Sequence, residues 1–360
     1  MLFRFVYSAQ DFVTDVLQRS ENCPPPSKFD ALIRDGWTDR MDRGLFRYHL
    51  GDLETRILPG PNGFIAQLNV QRGIERRKPQ EILSIQQEFN PSQFNFNKIN
   101  ADEIICEMMK GTAGVIDLPN GHLPQPCKMV VLINVSPLEF GHCLFVPDPS
   151  LCLPQILTRT AVQVGIESVL LSSNPGFRVG FNSLGAFASV NHLHLHGYYL
   201  DHELKIESNL VKPLIPEKNF FRLQGFPIGF LFFTKSEEVD TVARTICDVT
   251  DFLVGENIAH NLFLTRGCPP SCQMQSAKER RLRKGVRIAI WPRIACFGAK
   301  EESAFNVALC ELAGHLPFKN KKDFYCTTER EVISIVQRYL LPDDEFQRLE
   351  EQLVEHLLTL

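Results

Sequence analysis

His192, His194 and His196 recur at every second position within FNSLGAFASVNHLHLHGYYL, residues 181–200, and make up three of the chain's ten histidines. On an extended strand alternate side chains share a face, so the three imidazoles point together and Leu193 and Leu195 point away. Three uses suit such a cluster. The rings could ligate zinc. One neutral ring could attack phosphorus and form a phosphoramidate that reacts onward. All three could simply satisfy buried polar partners. The zinc reading finds no obvious carboxylate or cysteine ligand beside the strand, though a distant one could fold in. The nucleophile reading needs donors for the non-bridging oxygens, and Asn182, Ser189 and the amides around Gly185 are candidates. Neither a Walker-type loop nor a G-x-G-x-x-G run occurs, so a phosphate would rely on those donors.

The elements that would position these residues lie on either side. CKMVVLINVSP is a nearly continuous apolar run with β-branched residues, which predicts a buried strand. EFGHCLFVP follows after a turn as its hairpin partner. LPQILTRTAVQVGIESVLLSS predicts a helix ended by NPG, and FRVGFN and SVNHLHLHGYYL predict two further strands. Upstream, GLFRYHL and GFIAQLNV read as strands around the turn-rich LPGPNG. RKPQEILSIQQEF reads as a short helix or helical turn, with Ile82, Leu83, Ile85 and Phe89 as its apolar positions. The order strand, strand, helix, strand, strand predicts an antiparallel sheet with a helix packed across it.

A composition shift at VKPLIPEKN, residues 211–219, suggests a boundary. Beyond it GFPIGFLFF, HNLFLTRG and VRIAIWPR read as strands and SEEVDTVARTICDVTDFLVGE as a helix. The terminal DDEFQRLEEQLVEHLLTL carries Phe346, Leu349, Leu353 and Leu357 at helical spacing. The second part thus offers similar elements in a related order without close sequence repetition. The expected organisation is a flexible segment 1–28, a catalytic lobe 29–210 and a second lobe 211–360 lacking the histidine motif.

Over 360 residues the chain is 44% hydrophobic and 22% charged, the composition of an ordinary globular protein with a substantial core. A net charge of −4 gives no general attraction to nucleic acid or to an anionic membrane. Eleven cysteines, an odd number without zinc-ligand pairing, point to free thiols in a reducing compartment. The N-terminus has no long apolar stretch and meets Asp11 early, and no run of 18 apolar residues occurs. The expectation is a cytoplasmic protein that does not span a membrane.

GHCLFVP at 141–147 and NHLHLHGYYL at 191–200 resemble the two signatures of the histidine-triad superfamily. INVSPLEFGHCLFVP, GFNSLGAFASVNHLHLHGYYL, FNFNKI, AHNLFLTRG and RIAIWPR extend the likeness to the animal GDP-D-glucose phosphorylases, relatives of the plant GDP-L-galactose phosphorylases. The resemblance covers the chain from about residue 25 onward. It implies an α+β fold of two histidine-triad-like lobes, antiparallel sheets with packed helices, as in the galactose-1-phosphate uridylyltransferases. It further implies that His194, the middle histidine, is the nucleophile that becomes guanylylated. The main chain at His192 would orient that ring, and His196 would contact the reacting phosphate. Asn182, Gly185 and Ser189 match the loop that approaches ribose and α-phosphate, and Gly141 and His142 match the other signature. The implied substrates are GDP-D-glucose and inorganic phosphate, with GDP released and no metal or cofactor demanded. Plant relatives and the uridylyltransferases carry glutamine where His196 stands, whereas histidine there is usual in hydrolytic branches.

That departure keeps a GDP-hexose or nucleotide hydrolase in view, beside a phosphorylase preferring another GDP-hexose such as GDP-L-galactose. A zinc hydrolase and a non-enzymatic nucleotide-binding protein are the rivals from other classes. KERRLRKGVR, 278–287, and QRGIERRKPQ, 71–80, read as solvated surface, with phosphate or substrate contact by an arginine of the first, or reach to a sugar phosphate by a basic residue of the second, as the alternatives. The alternation in FNFNKI suggests a strand with buried aromatics, or a base-recognition element. CPPSC, 268–272, reads as a loop with two free thiols.

Overall fold

The computed structural model describes residues 3–17, 25–75, 79–111, 128–271, 273, 282–297 and 304–360. Its framework is an eleven-stranded sheet. Across the sheet the strands run Arg4–Tyr7, Ile104–Lys110, Lys128–Ile133, Cys143–Pro147, Leu195–Tyr199, Phe177–Asn182, Ala259–Gly267, Gly285–Arg293, Phe230–Thr234, Phe220–Leu223 and Val211–Ile215. Within it, only the pairing of Arg4–Tyr7 with Ile104–Lys110 is parallel.

The two halves of the chain repeat one plan. In the first, the hairpin Lys128–Ile133/Cys143–Pro147 leads to helix Arg159–Leu171 and then to Phe177–Asn182 and Leu195–Tyr199. In the second, the hairpin Phe220–Leu223/Phe230–Thr234 leads to helix Val239–Gly255 and then to Ala259–Gly267 and Gly285–Arg293. Spatial order within each half is also the same, and the halves meet where Phe177–Asn182 pairs antiparallel with Ala259–Gly267. Gly285–Arg293 therefore occupies the place of the histidine strand and carries no histidine.

One face of the sheet is covered by Arg159–Leu171, Val239–Gly255 and the C-terminal helix Asp343–Thr359, whose Phe346, Leu349, Leu353 and Leu357 are all buried as their spacing predicts. Leu193 and Leu195 join this core. Burying such a side chain stabilises by roughly 1.5–3 kcal/mol, which anchors the histidine segment from behind. On the opposite face lies a smaller sheet. The hairpin Glu54–Ile57/Ile65–Leu68 accepts His315–Phe318 as a parallel neighbour, so the second half completes a sheet begun in the first. Both parallel strands end at the same rim, and the chain continues from them into Asn69–Arg72 and Lys319.

Several expectations need correction. GLFRYHL is not a strand; Glu54–Ile57 takes that place in the hairpin around LPGPNG, while buried Phe46 packs on Trp37 at 4.9 Å. Residues 79–89 form no helix. Gln80 donates its main-chain amide to Ser189 O, and the Asn191 side chain donates to Gln87 O and Glu88 O, so tertiary contacts hold that segment open. FNFNKI is a single 3-10 turn, Phe96–Lys98, capped by Asn95. The histidine strand begins only at Leu195, because His194 N donates to the Gln155 side chain rather than to a neighbouring strand. Arg283 and Arg287 are buried rather than solvated: Arg283 pairs with Glu203 and Glu207, and Arg287 donates to the carbonyls of Ile206, Cys268 and Asn209. Residues 76–78, 278–281 and Cys272 lie outside the described residues.

Candidate active site

His194 is 3% exposed and its Nδ1 lies 2.8 Å from His192 O. A carbonyl oxygen can only accept, so Nδ1 carries the proton and Nε2 keeps the lone pair. Burial pushes the imidazole down to about 4, which leaves it neutral at physiological pH. Gln155 fixes the main chain here. Its Oε1 accepts from His194 N at 3.0 Å, and its Nε2 donates to His194 O at 3.2 Å and to Asn182 O at 3.0 Å.

The other two rings are held differently. His192 Nδ1 accepts from Phe96 N at 3.0 Å, so its proton resides on Nε2. Burial lowers it to about 4 as well. His196 Nδ1 lies 3.1 Å from His142 Nε2, and His142 Nδ1 accepts from Leu138 N at 2.8 Å. Phe96 packs edgewise against the ring of His194 and at a tilt against that of His192. A zinc ion shared by the triad needs a lone pair from each ring on one side. His192 Nδ1 and His196 Nδ1 already accept hydrogen bonds, and no metal-holding group of three or more His, Cys, Asp or Glu exists among the described residues.

Two cavities open beside the triad. The larger, about 380 Å³, runs under the rim of the small sheet and is lined by Arg72, His142, Asn182, Asn306, Glu311 and Lys319 among others. The smaller, about 90 Å³, lies between Phe94, Phe96, Ile99, Leu132, Leu144 and Val190, with Glu103, Asn134 and His194 also lining it. Arg72, Ser189 and His196 line both. A reacting phosphorus at their junction would have a slot with aromatic walls on one side and the larger cavity on the other.

The expected loop residues divide between lining and support. Ser189 is half-buried at the junction. Asn182 lines the larger cavity, but its Oδ1 already accepts from Leu309 N and Asn261 Nδ2 at 3.0 and 2.6 Å. Gly185 lines neither cavity; its φ of +76° turns the loop, and its carbonyl accepts from Cys296 N. Gly141, with φ +69°, is required because a Cβ would approach Tyr199 Cδ2 to 2.5 Å. That turn brings His142 back over His196. Phe187 adopts φ +70°, strained for an aromatic residue, between Arg293 and Tyr339 at the cavity wall.

Sequence reasoning missed Gln155, Asn134, Asn306, Glu311 and Lys319. Asn134 alone had a local signal, lying in the run INVSPLEFGHCLFVP that also holds His142. For Arg72 the phosphate-reaching alternative agrees with its position at the junction, and surface solvation does not.

A buried, neutral middle histidine oriented by main chain, with a second imidazole beside it and cavities on either side, is the arrangement that attack by an imidazole on phosphorus requires. Residues 28–198 match the GDPGP1-like N-terminal domain and residues 208–360 the GDPGP1-like C-terminal domain. The chain belongs to the GDPGP1-like family. It is 57% identical over 353 residues to GDP-D-glucose phosphorylase 1 of Danio rerio, covering 98% of each chain. To the Homo sapiens GDP-D-glucose phosphorylase 1 it is 47% identical over 359 residues, covering 97% of this chain and 91% of that one. The Arabidopsis thaliana GDP-L-galactose phosphorylase 1 is more distant, 30% identical over 342 residues, with 91% and 73% covered. Among solved structures, yeast Ap4A phosphorylase Apa2 shares the fold at 15% identity, with a TM-score of 0.54 over 88% of this chain and 98% of that one. No helix among the described residues is long and apolar enough to cross a membrane.

Proposed function

We propose that this chain is a GDP-D-glucose phosphorylase, converting GDP-glucose and phosphate to glucose 1-phosphate and GDP through a covalent GMP–His194. The observation that carries the chemistry is the 2.8 Å contact of His194 Nδ1 with His192 O, which leaves the Nε2 lone pair as nucleophile. His194 Nε2 attacks the α-phosphorus. The bond from that phosphorus to the bridging oxygen breaks, and glucose 1-phosphate departs with the electron pair. His142 donates to His196 Nδ1, so His196 presents its Nε2–H and can donate a hydrogen bond to the bridging oxygen as charge develops there. Inorganic phosphate then attacks the same phosphorus, the P–N bond breaks, and the pair returns to Nε2 as GDP forms. Ser189 and Arg72, which line the junction, stabilise charge on the non-bridging oxygens. The nucleoside occupies the aromatic slot, with Asn134 beside the ribose. In this reading the catalytic lobe is 29–210, the second lobe completes the site, and the enzyme works in the cytoplasm.

Intact-protein mass spectrometry after mixing with GDP-glucose tests the reading. Without phosphate, wild type should gain the mass of GMP, and His194→Ala should not. Adding phosphate should remove the adduct and release GDP. An adduct that persists on His194→Ala refutes the nucleophile assignment. His196, where transferring relatives carry glutamine, favours a second reading with water as acceptor. Adduct loss at equal rates with and without phosphate would support it.

A further inference from the structure

The larger cavity has a polar end far in sequence from the triad. The five-residue helix Leu309–Ala313 is brought there by its packing on Phe177–Asn182 and Ala259–Gly267, and Leu309 N is fixed to Asn182 Oδ1 at 3.0 Å. Gly180, opposite His196 in the sheet, permits this approach, since a Cβ there would come within 2.8 Å of Leu309 Cδ1. Glu311 is 4% exposed and lines the cavity. Its Oε2 accepts from Ala308 N at 2.9 Å and from Cys310 Sγ at 3.1 Å, and Oε1 receives neither bond.

Two cations share this chamber. Lys319 donates to Asn306 Oδ1 at 3.1 Å, and Arg72 donates to Ser136 O. Arg72 is near enough to lower Glu311 electrostatically, although burial, the larger effect, raises it. Arg72 and the Glu311 carboxyl therefore line one cavity while each bonds elsewhere. A ligand between them must offer anionic oxygens toward Arg72 at the junction and hydroxyl donors toward Glu311 beyond it. A hexose 1-phosphate has that polarity, with its phosphate at one end and a ring of hydroxyls at the other.

We propose that Glu311, with Asn306 and Lys319, forms the subsite for the departing hexose phosphate, and that the Glu311 carboxylate selects the sugar by accepting from its hydroxyls. This rests on the reaction proposed above. The half of the chain without the histidine motif then chooses which sugar phosphate leaves when His194 attacks.

The test compares two guanylyl donors. GDP-glucose places a hexose in the subsite, whereas GDP, the donor in the reverse of the second half-reaction, places none. Single-turnover formation of the GMP adduct is timed with each donor for wild type and Glu311→Gln, which keeps the shape and an acceptor for Ala308 N. The rate ratio, GDP-glucose over GDP, should fall by about 10- to 100-fold, the worth of a hydrogen bond to a charged acceptor. Glu311→Ala should lower it at least as far, and Glu311→Gln keeps the experiment decisive where loss of the cap unfolds the alanine variant. An unchanged ratio, whether both rates fall together or neither falls, overturns the subsite and leaves Glu311 as a helix cap. A wild type that forms no adduct with either donor sinks the phosphorylase reading itself, and this proposal with it.

Discussion

His142 Nε2 lies 3.1 Å from His196 Nδ1, and the direction of that hydrogen bond is set from outside the pair. Leu138 N–H occupies His142 Nδ1, so a neutral His142 carries its proton on Nε2, where His196 Nδ1 at 3.1 Å can accept it and Asn134 Nδ2 at 3.3 Å, itself a donor, cannot. His196 is thereby held as the tautomer with a proton on Nε2. His142→Ala should release that constraint and slow guanylylation by GDP-glucose on the order of 100-fold, the usual scale for one donor to a developing charge. His142→Gln keeps a side-chain N–H for His196 Nδ1 and should lose far less. Equal losses in the two variants would assign His142 a purely structural role.

The pH behaviour should separate the nucleophile from the fold. Burial holds His192, His194 and His260 at about 4 and His315 at about 3, against an ordinary 6.5. Below 6.5 the unfolded chain takes up protons that the folded chain refuses, so stability is lost as pH falls from 6.5 toward 4. Above 6.5 neither state protonates these rings and their contribution is flat. The urea midpoint should therefore hold between pH 8 and 7 and drop steadily between 6.5 and 5. The guanylylation rate of protein that remains folded should not fall with a midpoint near 6.5, because His194 is still a free base there. A midpoint near 6.5 for that step would contradict the buried nucleophile.

Why the triad was legible and its setting was not follows from where the partners lie in the chain. Alternating histidines before a glycine and two tyrosines advertise themselves locally, as does the helical spacing from Phe346 to Leu357. The segment 79–89 carries a helical pattern, yet it is held open by Asn191, a residue distant in sequence. Arg283 and Arg287 look like solvated charge because their acceptors are main-chain carbonyls between 206 and 268 and acids at 203 and 207. Glu311 has no local motif, and only the meeting of the two halves brings it to the cavity that His196 lines.

Gln155 illustrates the same limit with an energetic consequence. Its side-chain amide replaces a strand neighbour for His194, using both its oxygen and its nitrogen, and ties Asn182 into the arrangement. Gln155→Leu keeps the volume but leaves His194 N–H and two carbonyls without that partner in a buried place. The expected loss of stability is about 3 kcal/mol in urea unfolding, since each orphaned group costs about 1–3 kcal/mol. A change below about 0.5 kcal/mol, the range of an ordinary surface substitution, would mean that neighbouring groups or water replace the amide fully.

Ser189 stands at the junction with Arg72 and His196, and its own carbonyl is pinned by Gln80 N at 3.1 Å. The loop therefore holds its position when the hydroxyl is removed. If that hydroxyl donates to a non-bridging oxygen, its contribution grows as charge develops there and is small in the ground state. Ser189→Ala should then lower kcat for GDP-glucose by about 10- to 1,000-fold with a much smaller change in KM. The same factor should appear in both half-reactions, because both pass through the same phosphorus in the same place. Loss confined to the first half-reaction would instead place Ser189 on the departing glucose 1-phosphate, and an unchanged rate in both would remove it from the site.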